Sequence, residues 1–304
     1  MNLYFGYCCV SMLHKKLKCS RASTKTYLEK RTVDVCHDYL LEKARMNLAD
    51  LKQLLRLNYE EGIFAFRLPD QLLPQLDLGY YQLEELRDEL RDVGRVANDL
   101  NLQLSMHPSQ FFVLNSLKIE VVNRTIHTLD LVANIFDHME LQKTPNLTLH
   151  LGMKNGYETV DDALISFCNN FGRLSNSCKR YLVLENDHVS FTIDQCLKVH
   201  NEIGIPIVFD NKHYEWNPGI LTYDEALTTA VQTWKDRTPK LHLSSDKDQK
   251  KHAHANQVRY EDFAIMRSSL LQAGINECYI MLECKDKDMA VIQLMNERKS
   301  RESM

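Results

Sequence analysis

A chain of 304 residues with 44% hydrophobic side chains can bury a substantial core, as one large domain or two. Its formal net charge of −4 gives no support to a general polyanion-binding surface, so a nucleic-acid function has to rest on local basic loops and bound cations. Nine cysteines, odd in number and without a CxxC pair, point to a reducing cytoplasm, and no apolar run reaches the roughly 20 residues that span a bilayer.

The opening MNLYFGYCCVSML is apolar, but the KKLK cluster follows it, whereas a secretory leader carries its basic residues first. It reads as a buried strand over about 3 to 8, on which only one of Cys8 and Cys9 can point inward. An irregular stretch from about 9 to 40 follows, with Lys15, Lys16, Lys18 and Arg21 in it. Leu48, Leu51, Leu54, Leu55 and Asn58 then recur at helical spacing within 44 to 58. Further β-rich runs come at about 63 to 68, 102 to 106, 146 to 151, 181 to 185, 206 to 210, 239 to 243 and 278 to 283. They alternate with helical stretches, such as the one carrying Val121, Ile126, Leu129, Val132, Ala133 and Phe136. Eight such βα pairs close a parallel barrel. The expected fold class is α/β, a single (β/α)8 TIM barrel over 1–304, with a C-terminal helix and tail in 286–304 and a second irregular stretch at 243 to 259.

Six successive strands end on a side chain that binds metals: His107, His150, Glu185, Asp210, His242 and Glu283. In a barrel of this kind the strand C-termini and the loops after them form the active site. Three imidazoles and three carboxylates at one rim would conflict without cations among them, and this donor set suits zinc or manganese. His213, three residues after Asp210, and the His252 and His254 pair after the seventh strand supply more ligands than one ion takes. A lone strand-end histidine is ordinarily hydrogen-bonded scaffold; six ligands at one rim have no such common structural cause. His14, His37, His127, His138, His188 and His200 gain nothing from this pattern, and Trp216 and Trp234 read as packing or loop residues. Arg67, ending the second strand, has two readings, a phosphate contact or a partner for a carboxylate such as Asp70.

In order along nearly the whole chain stand FGYC (5–8), ARMNLADLKQLLRLN (44–58), SMHPSQF (105–111), LHLG (149–152), LENDH (184–188), D-x-x-H (210–213), PKLHLSS (239–245), HAH (252–254) and LECK (282–285). Together they resemble the UV damage endonucleases, metal-dependent DNA repair enzymes on a TIM barrel that is related in architecture to endonuclease IV. The resemblance implies incision of damaged double-stranded DNA immediately 5′ to UV photoproducts, and also at abasic sites. It implies hydrolysis by water activated on three divalent ions, manganese before zinc, cobalt or magnesium, leaving a 3′-hydroxyl and a 5′-phosphate.

By position, the resemblance gives His107, His150 and Glu185 to one metal. It gives Glu185, Asp210, His242 and Glu283 to a second, with Glu185 bridging, and His213 and His254 to a third. Lys240 stands where endonuclease IV has a metal-binding aspartate, so it is neutral, turned away or carbamylated, carbamylation being the expectation; with Glu185 it forms the expected catalytic pair. Gln110 and Phe111 occupy the lesion-probing positions, Tyr7 matches a residue of the lesion pocket, and Ser11 lies in a loop where relatives can carry an asparagine or other polar side chain, with no lesion contact expected of it. Phosphate contacts are expected from Lys15, Lys16, Lys18, Arg21, Lys247, Lys250 and Lys251, against the plainer reading of solvated charged loops. A cytoplasmic monomer with no membrane contact is expected. The competitors are a sugar-isomerase-like enzyme, against which Gln110, Phe111, His213 and His254 speak, and a damage-binding protein without catalysis, against which Glu185 and Glu283 speak.

Overall fold

A computed structural model describes residues 1–247 and 253–303. All eight expected runs form strands: β1 (Asn2–Cys8), β2 (Ala65–Arg67), β3 (Gln103–Met106), β4 (Asn146–His150), β5 (Leu182–Glu185), β6 (Ile207–Asp210), β7 (Lys240–Leu243) and β8 (Glu277–Leu282). They pair in parallel in chain order, and β8 returns to β1 to close the barrel. Helices on the outside link them, as crossovers between parallel strands require.

Strand alternation decides which side chains face the barrel axis. In β1, Phe5 and Tyr7 join the large core between strands and helices, while Tyr4 and Cys8 join a smaller cluster with Ala65, Tyr279 and Met281. The register carries that inner parity around the barrel: Cys8 lies opposite Arg67, Lys240 opposite Tyr279, His242 opposite Met281 and Asp210, and His150 opposite Glu185. Thus the inner face is largely apolar low in the barrel, with Lys240 one layer below the rim, and is ionisable at its C-terminal rim. Gly6 belongs to the inner face as well. A Cβ there would come 2.4 Å from the Ala65 carbonyl oxygen, so only glycine lets β1 lie this close to β2.

The helix expected around 44–58 runs over Val33–Glu60, and so begins inside the stretch expected to be irregular. Cys36, Leu40 and Ala44 extend its buried stripe backwards, but exposed Val33 and Val35 mask the period at its start. Within 286–304, Lys287–Glu302 is helical, and this helix packs against β1. Trp234 is buried and donates from its indole nitrogen to the Ile207 carbonyl at 2.7 Å, the packing role expected for it. Among the described residues all nine cysteines are free, and no helix is long and apolar enough to cross a membrane.

Candidate metal centre

The ends of β3 to β8 converge on Glu185, which is 1% exposed. Its Oε1 lies 2.7 Å from His242 Nδ1 and 3.4 Å from His213 Nδ1. Its Oε2 lies 2.8 Å from His107 Nε2 and 3.7 Å from His150 Nε2. Burial works against its ionisation, yet the surrounding imidazoles, His242 and His150 first, hold its carboxyl well below the usual carboxylate range.

Three groups of ligand atoms, each with all members within 4.8 Å of one another, share this carboxylate: His107–His150–Glu185, Glu185–Asp210–His213 and Glu185–His242–Glu283. The first is the expected group. The other two divide the remaining ligands differently from expectation, because Asp210 caps the helix Asn211–Trp216 and accepts the His213 backbone N–H at 2.8 Å. That turn folds His213 back over Asp210 and Glu185. His254 belongs to none of the three groups; its ring centre is 6.4 Å from that of His213 and its Nδ1 lies 2.8 Å from Ser244 Oγ. It reaches the rim on a short antiparallel pairing after β7, in which the Ala255 N–H donates to the Ser245 carbonyl at 2.8 Å.

Two features of the donor set fit divalent cations. Among the described residues Asp210 Oδ2 is buried without a hydrogen-bond partner, and burial pushes that carboxyl up to about 7. His107 faces acceptors with both nitrogens, the Pro108 carbonyl at 3.1 Å from Nδ1 and Glu185 at 2.8 Å from Nε2. A neutral imidazole has one N–H, while burial lowers the pKa of this ring and disfavours a second proton. A cation among these atoms relieves both conflicts, and imidazole with carboxylate suits zinc or manganese.

Below the ligands, Lys240 is 1% exposed and donates to Thr148 Oγ1 at 3.1 Å. Burial first, and then the Arg67 charge, push its amine down to about 7. Arg67 takes the second of its two sequence readings with a different partner: its guanidinium pairs with Glu283 and sets Nη2 3.0 Å from His242 Nε2. Sequence reasoning missed Arg67 as part of the centre, and also His188 and Trp216, whose rings lie 5.2 and 6.2 Å from that of His213. Their spacing was the available signal: His188 follows Glu185 by three residues, and Trp216 follows His213 by three.

Beside the ligands, Gln110 and Phe111 stand on the loop after β3. Phe111 is 73% exposed, and with His150, Met153 and Val189 it borders a groove of about 720 Å³. Lys15 and Lys16 are exposed and Lys247 is half-buried, whereas Lys250, Lys251 and His252 lie outside the described residues. One expectation is corrected. Tyr7 is fully buried, faces the helix Val33–Glu60 and donates to Asn58 Oδ1 at 2.8 Å, so its role is packing and not lesion contact. Arg21 is held by Asp50 at 2.7 Å. Ser11 is buried against Asp288, which also accepts the Met12 N–H at 2.7 Å, and so belongs to the scaffold of its loop.

With this geometry in place, comparison with known proteins gives a consistent picture. Residues 3–304 match the family model described as UV-endonuclease UvdE. The UV DNA damage endonuclease of Halalkalibacterium halodurans is 30% identical over 308 residues, covering 98% of this chain and 94% of that protein. That of Clostridium perfringens is 28% identical over 92% of this chain and 69% of its own length. The UV-damage endonuclease of Schizosaccharomyces pombe is 30% identical over 95% of this chain, which spans 49% of that protein. The crystal structure of SacUVDE superposes with a TM-score of 0.88 at 26% identity, covering both chains completely. A 3-keto-D-glucoside 4-epimerase from E. coli has a TM-score of 0.56 at 12% identity over 85% of this chain and 95% of its own, and shares the fold alone.

Folding leaves Asp210 protonated over a wider pH range than its ordinary value of 3.8 allows, up to about 7. The folded state therefore holds the extra proton between those values, and the stability contributed by that proton is lost as pH rises through them. In chelator, the wild type should lose stability relative to Asp210→Asn from about pH 5 to about 7, and saturating manganese should reverse the order. Urea midpoints of both proteins across this range test it; a difference that stays constant with pH would mean that Asp210 ionises normally.

Proposed function

The chain belongs to the UV-endonuclease UvdE family, which makes it a DNA repair endonuclease, and we propose that it nicks damaged duplex DNA immediately 5′ to ultraviolet photoproducts, and at abasic sites. The products are a 3′-hydroxyl and a 5′-phosphate. The observation that carries the reading is Glu185 shared by three ligand groups at the open rim, beside an exposed Phe111. The enzyme works as a cytoplasmic monomer on DNA, with three divalent ions, manganese before zinc, cobalt or magnesium.

His107, His150 and Glu185 would hold one ion, Glu185, Asp210 and His213 a second, and Glu185, His242 and Glu283 a third, and His254, beside His213 at the rim, would offer a further ligand. When bound, such ions supply a water of lowered pKa and neutralise charge on the scissile phosphate, so no protein nucleophile is required. The residues supply the rest. Glu185, ionised throughout the neutral range, fixes the spacing of the ligand groups around it. Lys15, Lys16, Lys247, Lys250 and Lys251 hold phosphates to either side. Gln110 and Phe111 fill the stack where a damaged pair leaves it, a step that costs less at a distorted site. Phe111 offers an aromatic face on which bases of any sequence stack. Lys240, with its amine near 7, is neutral in a large fraction of molecules and nucleophilic toward CO2. Addition of the amine to CO2, with loss of one proton, forms a carbamate that gives the site a fourth carboxylate.

A duplex carrying one cyclobutane dimer, incubated with protein and manganese beside an undamaged control, tests the main reading. The expected result is a nick just 5′ to the dimer that chelator abolishes. Glu185→Gln should lose more than the roughly 10–100-fold typical of outer-shell partners. Tight binding without a nick would instead favour a damage-binding protein, and neither binding nor nicking a sugar-isomerase-like enzyme.

Phe111→Ala should lower the preference for damaged over intact duplex by about 5-fold or more, given ~1–3 kcal/mol per stacked base, while leaving manganese affinity unchanged. Equal loss of both would assign Phe111 to the architecture of the metal centre. For Lys240, protein equilibrated with 13C-bicarbonate should show one carbamate carbon signal that is absent from Lys240→Arg. A spectrum without it would leave Lys240 as an ordinary amine.

A further inference from the structure

β2 contributes a cation to a ring of metal ligands. Arg67 is 8% exposed, and its register opposite Cys8 and Ser105 turns it toward the barrel axis. Its guanidinium pairs with Glu283 and places Nη2 3.0 Å from His242 Nε2. A guanidinium only donates, so His242 Nε2 is the accepting nitrogen and the ring proton sits on Nδ1. That proton is directed at Glu185 Oε1, 2.7 Å away, with Glu283 Oε1 at 3.2 Å. Arg67 thus places a cation belonging to the protein on Glu283 and on the Nε2 side of the His242 ring, within the Glu185–His242–Glu283 group.

We infer that Arg67 is an internal counter-cation that competes with the metal ion at this group. With the group free of metal, the guanidinium balances Glu283 and holds the His242 tautomer. An ion bonded through Nδ1 requires the ring proton on Nε2, and an N–H there cannot accept from Arg67. Entry of the ion therefore breaks the Arg67–His242 contact and places two cations on one Glu283 carboxylate, where a low effective dielectric makes their repulsion strong. By contrast, no arginine or lysine is among the ion-pair and hydrogen-bond partners of the His107–His150–Glu185 ligand side chains within the described residues. Ions consequently bind with unequal affinity, the Arg67 group filling last. This inference rests on the metal-centre reading.

The test is calorimetric titration of metal-free wild type, Arg67→Gln and Arg67→Lys with manganese, in the absence of DNA. Removing the charge should tighten the weakest wild-type binding event by at least about tenfold, while Arg67→Lys, which keeps the charge, should stay near wild type. In chelator, Arg67→Gln should also melt below the wild type, and manganese should close the gap. Unchanged or weaker binding of the last ion by Arg67→Gln would make Arg67 a support for Glu283 and overturn the inference. If Arg67→Gln does not fold, the wild type decides alone: the 15N signals of the Arg67 guanidinium should move as the last equivalent of zinc binds, and signals that stay in place overturn the inference. Failure of the wild type to bind manganese at all would remove the metal-centre reading and this inference with it, and it would be seen before any variant is compared.

Discussion

Everything at the rim depends on one buried carboxylate. Glu185 sits where β5 ends, and the parallel register brings the ends of the neighbouring strands to it from both sides: His150 pairs directly with Glu185, and Asp210 with His242. An unbalanced negative charge in such a place would cost several kcal/mol in desolvation. Four imidazoles lie within 4 Å of its oxygens, and a divalent cation would draw on the same atoms. Binding site and charge balance are therefore one arrangement.

The remaining ionisable groups divide between those balanced from within and those left open. Glu283 has Arg67 and is held well below the usual carboxylate range, with Arg67 and His242 outweighing burial. Asp210 Oδ2 has no hydrogen-bond partner among the described residues, and its carboxyl is pushed up by burial. Two carboxylates a few residues from the same axis thus respond in opposite directions. The difference comes from Arg67, which β2 projects toward Glu283 and not toward Asp210. One layer lower, Lys240 meets the neutral Thr148 hydroxyl, and its amine loses charge for the same reason that Asp210 gains a proton.

Around this rigid centre the loops differ in how they are tied. The loop after β1 is fastened by Asp288 to Ser11 and Met12, and by Asp50 and Asn47 to Arg21, which leaves Lys15 and Lys16 exposed between two anchors. Lys212, buried on the helix after β6, pairs with Asp246 at 3.3 Å and Asp262 at 3.4 Å, and so joins the loop that carries His254 to the side of the barrel that carries His213. The loop after β3 instead presents Phe111 to solvent, a large apolar surface whose exposure is costly in a protein with no partner for it.

The sequence by itself determined the barrel and the set of candidate ligands at its rim. Eight β-rich runs alternating with helical period allow few topologies besides closure, and residues finishing successive parallel strands must become neighbours. His107, His150, Glu185, Asp210, His242 and Glu283 were legible for that reason. Only the tertiary structure decided how they are grouped, because grouping depends on where side chains point after the strand ends. The cap made by Asp210 turns His213 inward, and the Ser244 contact keeps His254 at the rim. Tyr7 was misread because one step of strand parity separates the barrel axis from the helix layer, and its neighbour Cys8 took the inner face. Arg67 stayed ambiguous because an arginine at a strand end can meet a phosphate or a carboxylate, and its partner Glu283 lies 216 residues away, brought within reach only when β8 closes on β1.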